Sequence, residues 1–217
     1  MFQMPLSGRY WSCYSAMKTY KIHLIRHGIT DANLEGRYIG IRTDLPLCPS
    51  SVRELKSLNE TGGYPEIGAL YTSPMLRCKQ TAAILFPGFE AKEIDELAEY
   101  DFGEFEGKTA EQLEVNESYL EWTSGKIPSP PGGESSTDFI KRQALGINLI
   151  VRDMMDNNVR ESAVIMHGGA IMMLLGNCAV PRKRSVEWTS EPGHGYSILI
   201  TPSLYHSSGI LEVYDVI

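Results

Sequence analysis

At 217 residues, with ordinary glycine, proline and aromatic content, the chain is long enough for one well-cored domain and has no fibrous or disordered bias. A formal net charge of −7 with no basic run argues against nucleic acid and anionic membranes as partners. Apolar runs fall short of membrane-spanning length, and Cys13, Cys48, Cys78 and Cys178 form neither a CxxC pair nor a metal-type spacing, so reduced thiols and a cytoplasmic setting are expected.

Residues 1–16 carry no signal pattern and differ in character from the rest of the chain; Met17-Lys18 makes a natural start. The expected organisation is an N-terminal extension over 1–16 and a single domain over 17–217. Residues 20–25 are β-branched and apolar, which predicts a short buried strand. Arg26, His27 and Gly28 come next, where the chain must turn out of the sheet. A Gly- and Pro-punctuated loop over 34–49 leads to a helix capped by Ser50 or Ser51, with Glu54 placed as in a capping box and Gly62-Gly63 as its stop. Residues 67–72 predict a second strand. Ser73 as N-cap and Pro74 at the first helical position then start a helix over about 75–86.

Residues 91–97 are a candidate third strand, and 99–107 is an acidic loop. One or two short helices over 109–123 and a Pro/Gly loop over 125–133 precede a long amphipathic helix over about 135–157. Residues 162–166 predict a strand ending at His167-Gly168-Gly169, and the apolar stretch 170–179 a helix buried behind the sheet. Strands over 196–201 and 209–216 close the chain as an edge pair. This alternation predicts an α/β fold of three layers: a doubly wound, mostly parallel sheet with helices on both faces and an antiparallel edge.

Ligand sites of such sheets lie past the carboxyl ends of the strands. Arg26 and His27 close the first strand, Arg77 sits in the first turn after the second, Glu99 follows the third, and His167 closes the fourth at a helix N-terminus. Two guanidiniums, two imidazoles and a carboxylate around one anion are a kit for phosphoryl transfer without a metal: nucleophile, oxygen clamp and proton donor.

Four segments carry a family resemblance: Leu-Ile-Arg-His-Gly-Ile-Thr-Asp-Ala-Asn (24–33), Ser-Pro-Met-Leu-Arg-Cys-Lys-Gln-Thr-Ala (73–82), Leu-Ala-Glu-Tyr-Asp-Phe-Gly-Glu-Phe-Glu-Gly (97–107) and Met-His-Gly-Gly (166–169). Pro-Pro-Gly-Gly-Glu-Ser (130–135) with Arg142 also fits. The chain resembles the histidine phosphatases of the phosphoglycerate mutase-like branch. That resemblance implies that His27 takes the phosphoryl group while Arg26, Arg77 and His167 grip its oxygens. It places Thr30, Asn33 and the backbone at Gly40, Gly168 and Gly169 in the substrate pocket. Glu99 would protonate the leaving oxygen and then act as base toward water. The substrate would be a small phosphorylated metabolite; no metal and no cofactor are implied, and a homodimer is compatible with the reading.

Departures are few. Ile29 stands where an acidic residue is common, and Cys48-Pro-Ser-Ser lacks the usual glycine before its helix. His23 reads as a sheet-face residue, His194 and His206 as turn residues, and Met172, Met173 and Leu174 as core. A cofactor-dependent phosphoglycerate mutase is the alternative activity, but it needs a basic segment for a substrate carboxylate. Only Lys126 stands in 122–131, which favours hydrolysis. Gly-Arg-Tyr-Ile-Gly (36–40) followed by Thr-Asp-Leu-Pro-Leu (43–47) is similar to α-ribazole-phosphate phosphatases. A non-catalytic binding relative is the third reading, disfavoured because the phosphate-binding set is complete.

Overall fold

The computed structural model describes residues 18–217, so the expected extension over 1–16 lies outside the described residues. In chain order the elements are β1 (Tyr20–Arg26), α1 (Asp31–Leu34), α2 (Pro49–Glu60), β2 (Ala69–Thr72), α3 (Leu76–Leu85), β3 (Lys92–Glu93), α4 (Ala110–Leu113) and α5 (Glu117–Thr123). They continue with α6 (Ser136–Asp156), β4 (Glu161–Met166), α7 (Gly168–Cys178), β5 (Ala179–Val180), β6 (Gly195–Ile200), α8 (Pro202–Ser208) and β7 (Leu211–Val216). Among the described residues, no helix is long and apolar enough to cross a membrane.

The strands form one seven-stranded sheet in the order β3-β2-β4-β1-β6-β7-β5. β1, β4, β2 and β3 are parallel, whereas β6 runs antiparallel to β1 and to β7. The alternation of β1 and β4 divides the core in two. Ile22 and Leu24 with Val164 and Met166 pack toward α6 and α7; Ile25 with Ala163 and Ile165 packs toward α2 and α3. The chain is therefore the expected three-layer α/β fold with a doubly wound, mostly parallel sheet. Because β1, β2 and β4 point the same way, Arg26, Ser73 and His167 emerge on one rim.

Local differences have physical causes. Helix α2 starts at Pro49 with Cys48 at the N-cap position, not at Ser50 or Ser51. The Ser51 hydroxyl instead accepts the Ile29 amide at 2.8 Å. Helix α3 starts at Leu76, after an extended Met75, so Ser73 is not its cap. The stretch 91–97 is extended only at Lys92–Glu93 and then tightens into a 3₁₀ turn over Asp95–Leu97. The segment Tyr-His-Ser-Ser, read as a turn, lies in α8, opened by Pro202 in its first turn and closed by Gly209 at φ 67°. β7 is not the sheet edge, since β5 pairs outside it in parallel.

Candidate active site

The turn after β1 is shaped by packing. A Cβ on Gly28 would lie 2.6 Å from Ser51 Oγ and 2.7 Å from Leu55 Cδ1, so only glycine fits there. The Gly28 amide donates to Thr81 Oγ1 at 3.0 Å, and the Thr81 hydroxyl donates to the Arg77 carbonyl at 2.7 Å. This ties the Arg26-His27-Gly28 turn to the helix that carries Arg77.

The structure brings His27, Arg77, Glu99 and His167 together, all buried: 5%, 1%, 8% and 0% exposed. His27 Nδ1 donates to its neighbour's carbonyl, Gly28 O, at 2.5 Å. A carbonyl only accepts, so Nδ1 carries the proton and Nε2 keeps a free lone pair. Burial, then the Arg77 charge and more weakly Arg26, push the His27 pKa down to about 3, so the ring is neutral at pH 7. His167 stacks edge-on against His27, 5.1 Å between centroids, and burial holds its pKa well below the ordinary range.

His167 Nε2 shares a 2.8 Å hydrogen bond with the Ser73 hydroxyl, and its Nδ1 lies 3.5 Å from Glu99 Oε2. Ser73 is thus part of the site's support, a role that its cap-like context hid. Burial pushes the Glu99 carboxyl up to about 7, against a 2.9 Å bond from the Tyr100 amide that favours the ionised form. A carboxyl balanced near neutrality suits proton donation and acceptance in turn.

Both guanidiniums are oriented by carbonyls. Arg77 donates to Thr43 O at 3.1 Å and to Gly40 O at 3.4 Å; Arg26 donates to Ser190 O at 2.7 Å. Gly40 has a second constraint, because its amide donates to Glu106 Oε1 at 2.9 Å and a Cβ there would strike the Tyr100 carbonyl. Its backbone groups therefore serve Arg77 and Glu106. Gly168 opens α7 beside Arg26, where a Cβ would lie 3.0 Å from Arg26 Nε. Arg142 fixes the acid-bearing loop: it donates to the carbonyls of Glu96, Ala98 and Glu99 and pairs with Glu134 at 2.6 Å.

Asn33 and Thr30 form the capping box of α1, with Asn33 Oδ1 accepting the Thr30 amide at 3.1 Å. Asn33 also lines a cavity of about 330 Å³ with Arg37, Glu99, Gly169, Ser136 and Met173. Its walls are aromatic: Tyr38, Tyr100, Phe102, Trp122 and Phe139, with Phe102 5.0 Å from both Tyr38 and Tyr100 and 6.2 Å from Trp122. Thr30, Arg26, Arg77 and Gly40 are not among its lining residues; Glu99 joins the cavity to His27. Met173, read as core, is half-buried and reaches this wall. His23 is a buried sheet residue held by Ser197 and Glu161, and His194 bonds the Ile217 carbonyl.

A cationic floor beside neutral imidazoles and a cavity for an organic group define a protein that handles phosphate esters on a phosphoglycerate mutase-like fold. A phosphoglycerate mutase of Bacillus anthracis shares that fold, with a TM-score of 0.71, 20% identity and coverage of 91% of this chain and 92% of its own. Residues 22–194 match the histidine phosphatase superfamily (branch 1), and the chain belongs to that superfamily. Curated relatives include the uncharacterized phosphatase PhoE of Bacillus subtilis, 29% identical over 70% of this chain and 74% of its own length. The adenosylcobalamin/alpha-ribazole phosphatase of Salmonella typhimurium is 26% identical over 71% of this chain and 77% of its own. The chain is a phosphoric monoester hydrolase of histidine phosphatase type.

Proposed function

We propose that the protein hydrolyses a small phosphorylated metabolite without a metal, through a phosphohistidine on His27. Nε2 attacks phosphorus while Arg26, Arg77 and His167 hold the equatorial oxygens, in place of the magnesium used by other phosphoryl-transfer enzymes. Glu99 gives its proton to the departing ester oxygen, which leaves as an alcohol. Ionised Glu99 then takes a proton from water as that water attacks phosphorus, which releases phosphate and restores Nε2. Asn33 and Gly169 face the substrate from the cavity wall, while Thr30 acts through Asn33, Gly40 through Arg77 and Gly168 beside Arg26.

The observation that carries the substrate reading is the aromatic cavity beyond Glu99. About 330 Å³ is near the lower end of small-molecule pockets, and its ring-lined walls suit a flat apolar group on the leaving alcohol. α-Ribazole 5′-phosphate, with its planar base, is the leading candidate, in line with the relatives named for it. A mutase would need a cation for the carboxylate of its substrate. The cavity's arginine, Arg37, is already engaged with Glu35 and the Gly107 carbonyl. The test is steady-state hydrolysis of a panel of phosphate monoesters in EDTA, with α-ribazole 5′-phosphate and 3-phosphoglycerate included, and rapid-quench trapping of phosphoenzyme. Preference for the planar substrate and a trapped phosphohistidine absent from His27→Ala support the reading. Isomerisation of 3-phosphoglycerate primed by 2,3-bisphosphoglycerate would establish the mutase instead.

A further inference from the structure

Three side chains of the site are each held by one hydrogen bond that leaves a second ligand atom on the same side chain. His27 is fixed through Nδ1 on the Gly28 carbonyl, His167 through Nε2 on Ser73, and Glu99 through Oε1 on the Tyr100 amide. One ligand atom from each lies within 4.8 Å of the others. Among the described residues, no second group of three His, Cys, Asp or Glu side chains converges in this way. Sequence spacing gives no sign of this cluster, because the three residues come from three separate loops. An imidazole anchored through its other nitrogen is the usual setting of a metal-ligating histidine. Two imidazoles and a carboxylate with one open position are a donor set that Zn²⁺ accepts. A tetrahedral ion with bonds of about 2.0–2.1 Å separates its ligands by roughly 3.4 Å. His167 Nδ1 and Glu99 Oε2 already stand at 3.5 Å, and the His27 ligand atom lies within 4.8 Å of both residues' ligand atoms, so the ring of His27 must move inward to complete the set.

We propose that His27, His167 and Glu99 form an inhibitory site for a borderline-soft divalent cation such as Zn²⁺. Inhibition rests on His27 as nucleophile: a lone pair on the metal cannot attack phosphorus. The guanidiniums of Arg26 and Arg77 oppose a bare dication. The Glu99 carboxylate offsets part of that repulsion, and an anion in the open coordination position, beside the guanidiniums, offsets more. Inorganic phosphate fits that position, so phosphate and metal strengthen each other's binding. Mg²⁺, which demands six ligands, mostly oxygens, and keeps its waters, is not held by this set.

The test uses Co²⁺ as a spectroscopic stand-in on the metal-free protein. The expected result is one equivalent of Co²⁺ with the visible absorption of a four-coordinate ion, displaced by Zn²⁺ but not by Mg²⁺. Phosphate should tighten it by about tenfold, within the usual range of coupling between two ligands. His27→Gln and His167→Gln, each checked for native circular dichroism, should both lose the band. No band, a band retained in both variants, or a band abolished by phosphate overturns the inference. Activity in EDTA is scored separately. An active enzyme without a cobalt band sinks the metal site alone, whereas a cobalt band on a protein inactive in EDTA sinks the phosphatase reading.

Discussion

Glutamine at position 99 keeps the shape of the side chain and removes its exchangeable proton. Burial lifts the Glu99 carboxyl from its usual 4.5 to about 7. At pH 7 about half of the molecules then hold the proton, against roughly one in three hundred for an unperturbed carboxyl, a gain of about 150-fold in the acid form. General acid catalysis is worth about 10²–10⁴-fold when the leaving group is poor. Glu99→Gln should therefore lower kcat/KM by that factor for an alkyl phosphate. For 4-nitrophenyl phosphate, whose phenolate leaves unaided, the loss should stay below about tenfold. kcat/KM reports events through phosphorylation of His27, so the later role of Glu99 as base does not blur the comparison. The acid form is lost as pH rises through about 7, so kcat/KM for the alkyl ester should fall above that value. Each ester has its own second phosphate ionisation, lower for the aryl ester, and this cancels when wild type and Glu99→Gln are compared on the same substrate. Equal losses on the two substrates, or an alkaline limb that survives in Glu99→Gln, would refute the assignment.

Other substitutions probe the supports. Gly28→Ala places a methyl 2.6 Å from Ser51 Oγ and 2.7 Å from Leu55 Cδ1. Overpacking of this kind costs about 1–3 kcal/mol, so Tm should fall by several degrees and activity should fall with it; an unchanged Tm would contradict the packing. Trp122→Ala removes one ring of the cavity wall, and kcat/KM for α-ribazole 5′-phosphate should drop about tenfold, from a stacking loss near 1–1.5 kcal/mol, while glycerol phosphate is unaffected. His27 binds a proton at about 6.5 when unfolded but only near 3 when folded. The unfolded state thus gains protons first as pH falls, so the protein should lose stability from about 6.5 downward. Urea titrations across that window should show a weaker acid loss in His27→Gln.

How much of the fold and site was legible depended on whether the cause was local. β1, β4 and the turns after them were readable because apolar runs end abruptly at Arg-His-Gly and His-Gly-Gly. Ser73-Pro74 read as a helix start, yet Met75 stays extended and the Ser73 hydroxyl serves His167, a residue 94 positions away. A cap is worth about 1 kcal/mol, and an unpartnered buried ring nitrogen costs comparably or more, so the distant partner prevails. The acid-bearing loop was hard to place because its preceding strand has only two residues. The clamp from Arg142 that fixes this loop spans more than 40 positions. The aromatic wall left no signal either, since its rings sit on loops and short helices without a common period. α8 is different: Pro202 and Gly209 were visible in the sequence, and the turn-like Ser-Ser pair masked a helix they bracket.

The charge logic of the site depends on which arginines are paired. Arg42 meets Asp101 at 2.8 Å, Arg37 meets Glu35 at 2.5 Å, and Arg142 meets Glu134 at 2.6 Å; each of these staples a loop. Arg26 and Arg77 are held by carbonyl oxygens, and among the described residues neither has a carboxylate within ion-pair distance. A carbonyl orients a guanidinium without cancelling its charge, so both positive charges stay available to an incoming anion. Burial keeps His27 and His167 neutral, and it keeps Glu99 partly protonated where an ionised carboxylate would repel phosphate. The resulting floor carries about two positive charges, matched to a phosphate dianion. An acidic protein can therefore bind phosphate because the global field acts through screened solvent, whereas these two guanidiniums act at contact in a buried site. Raising salt should consequently change the capture of substrate far less than replacing either arginine.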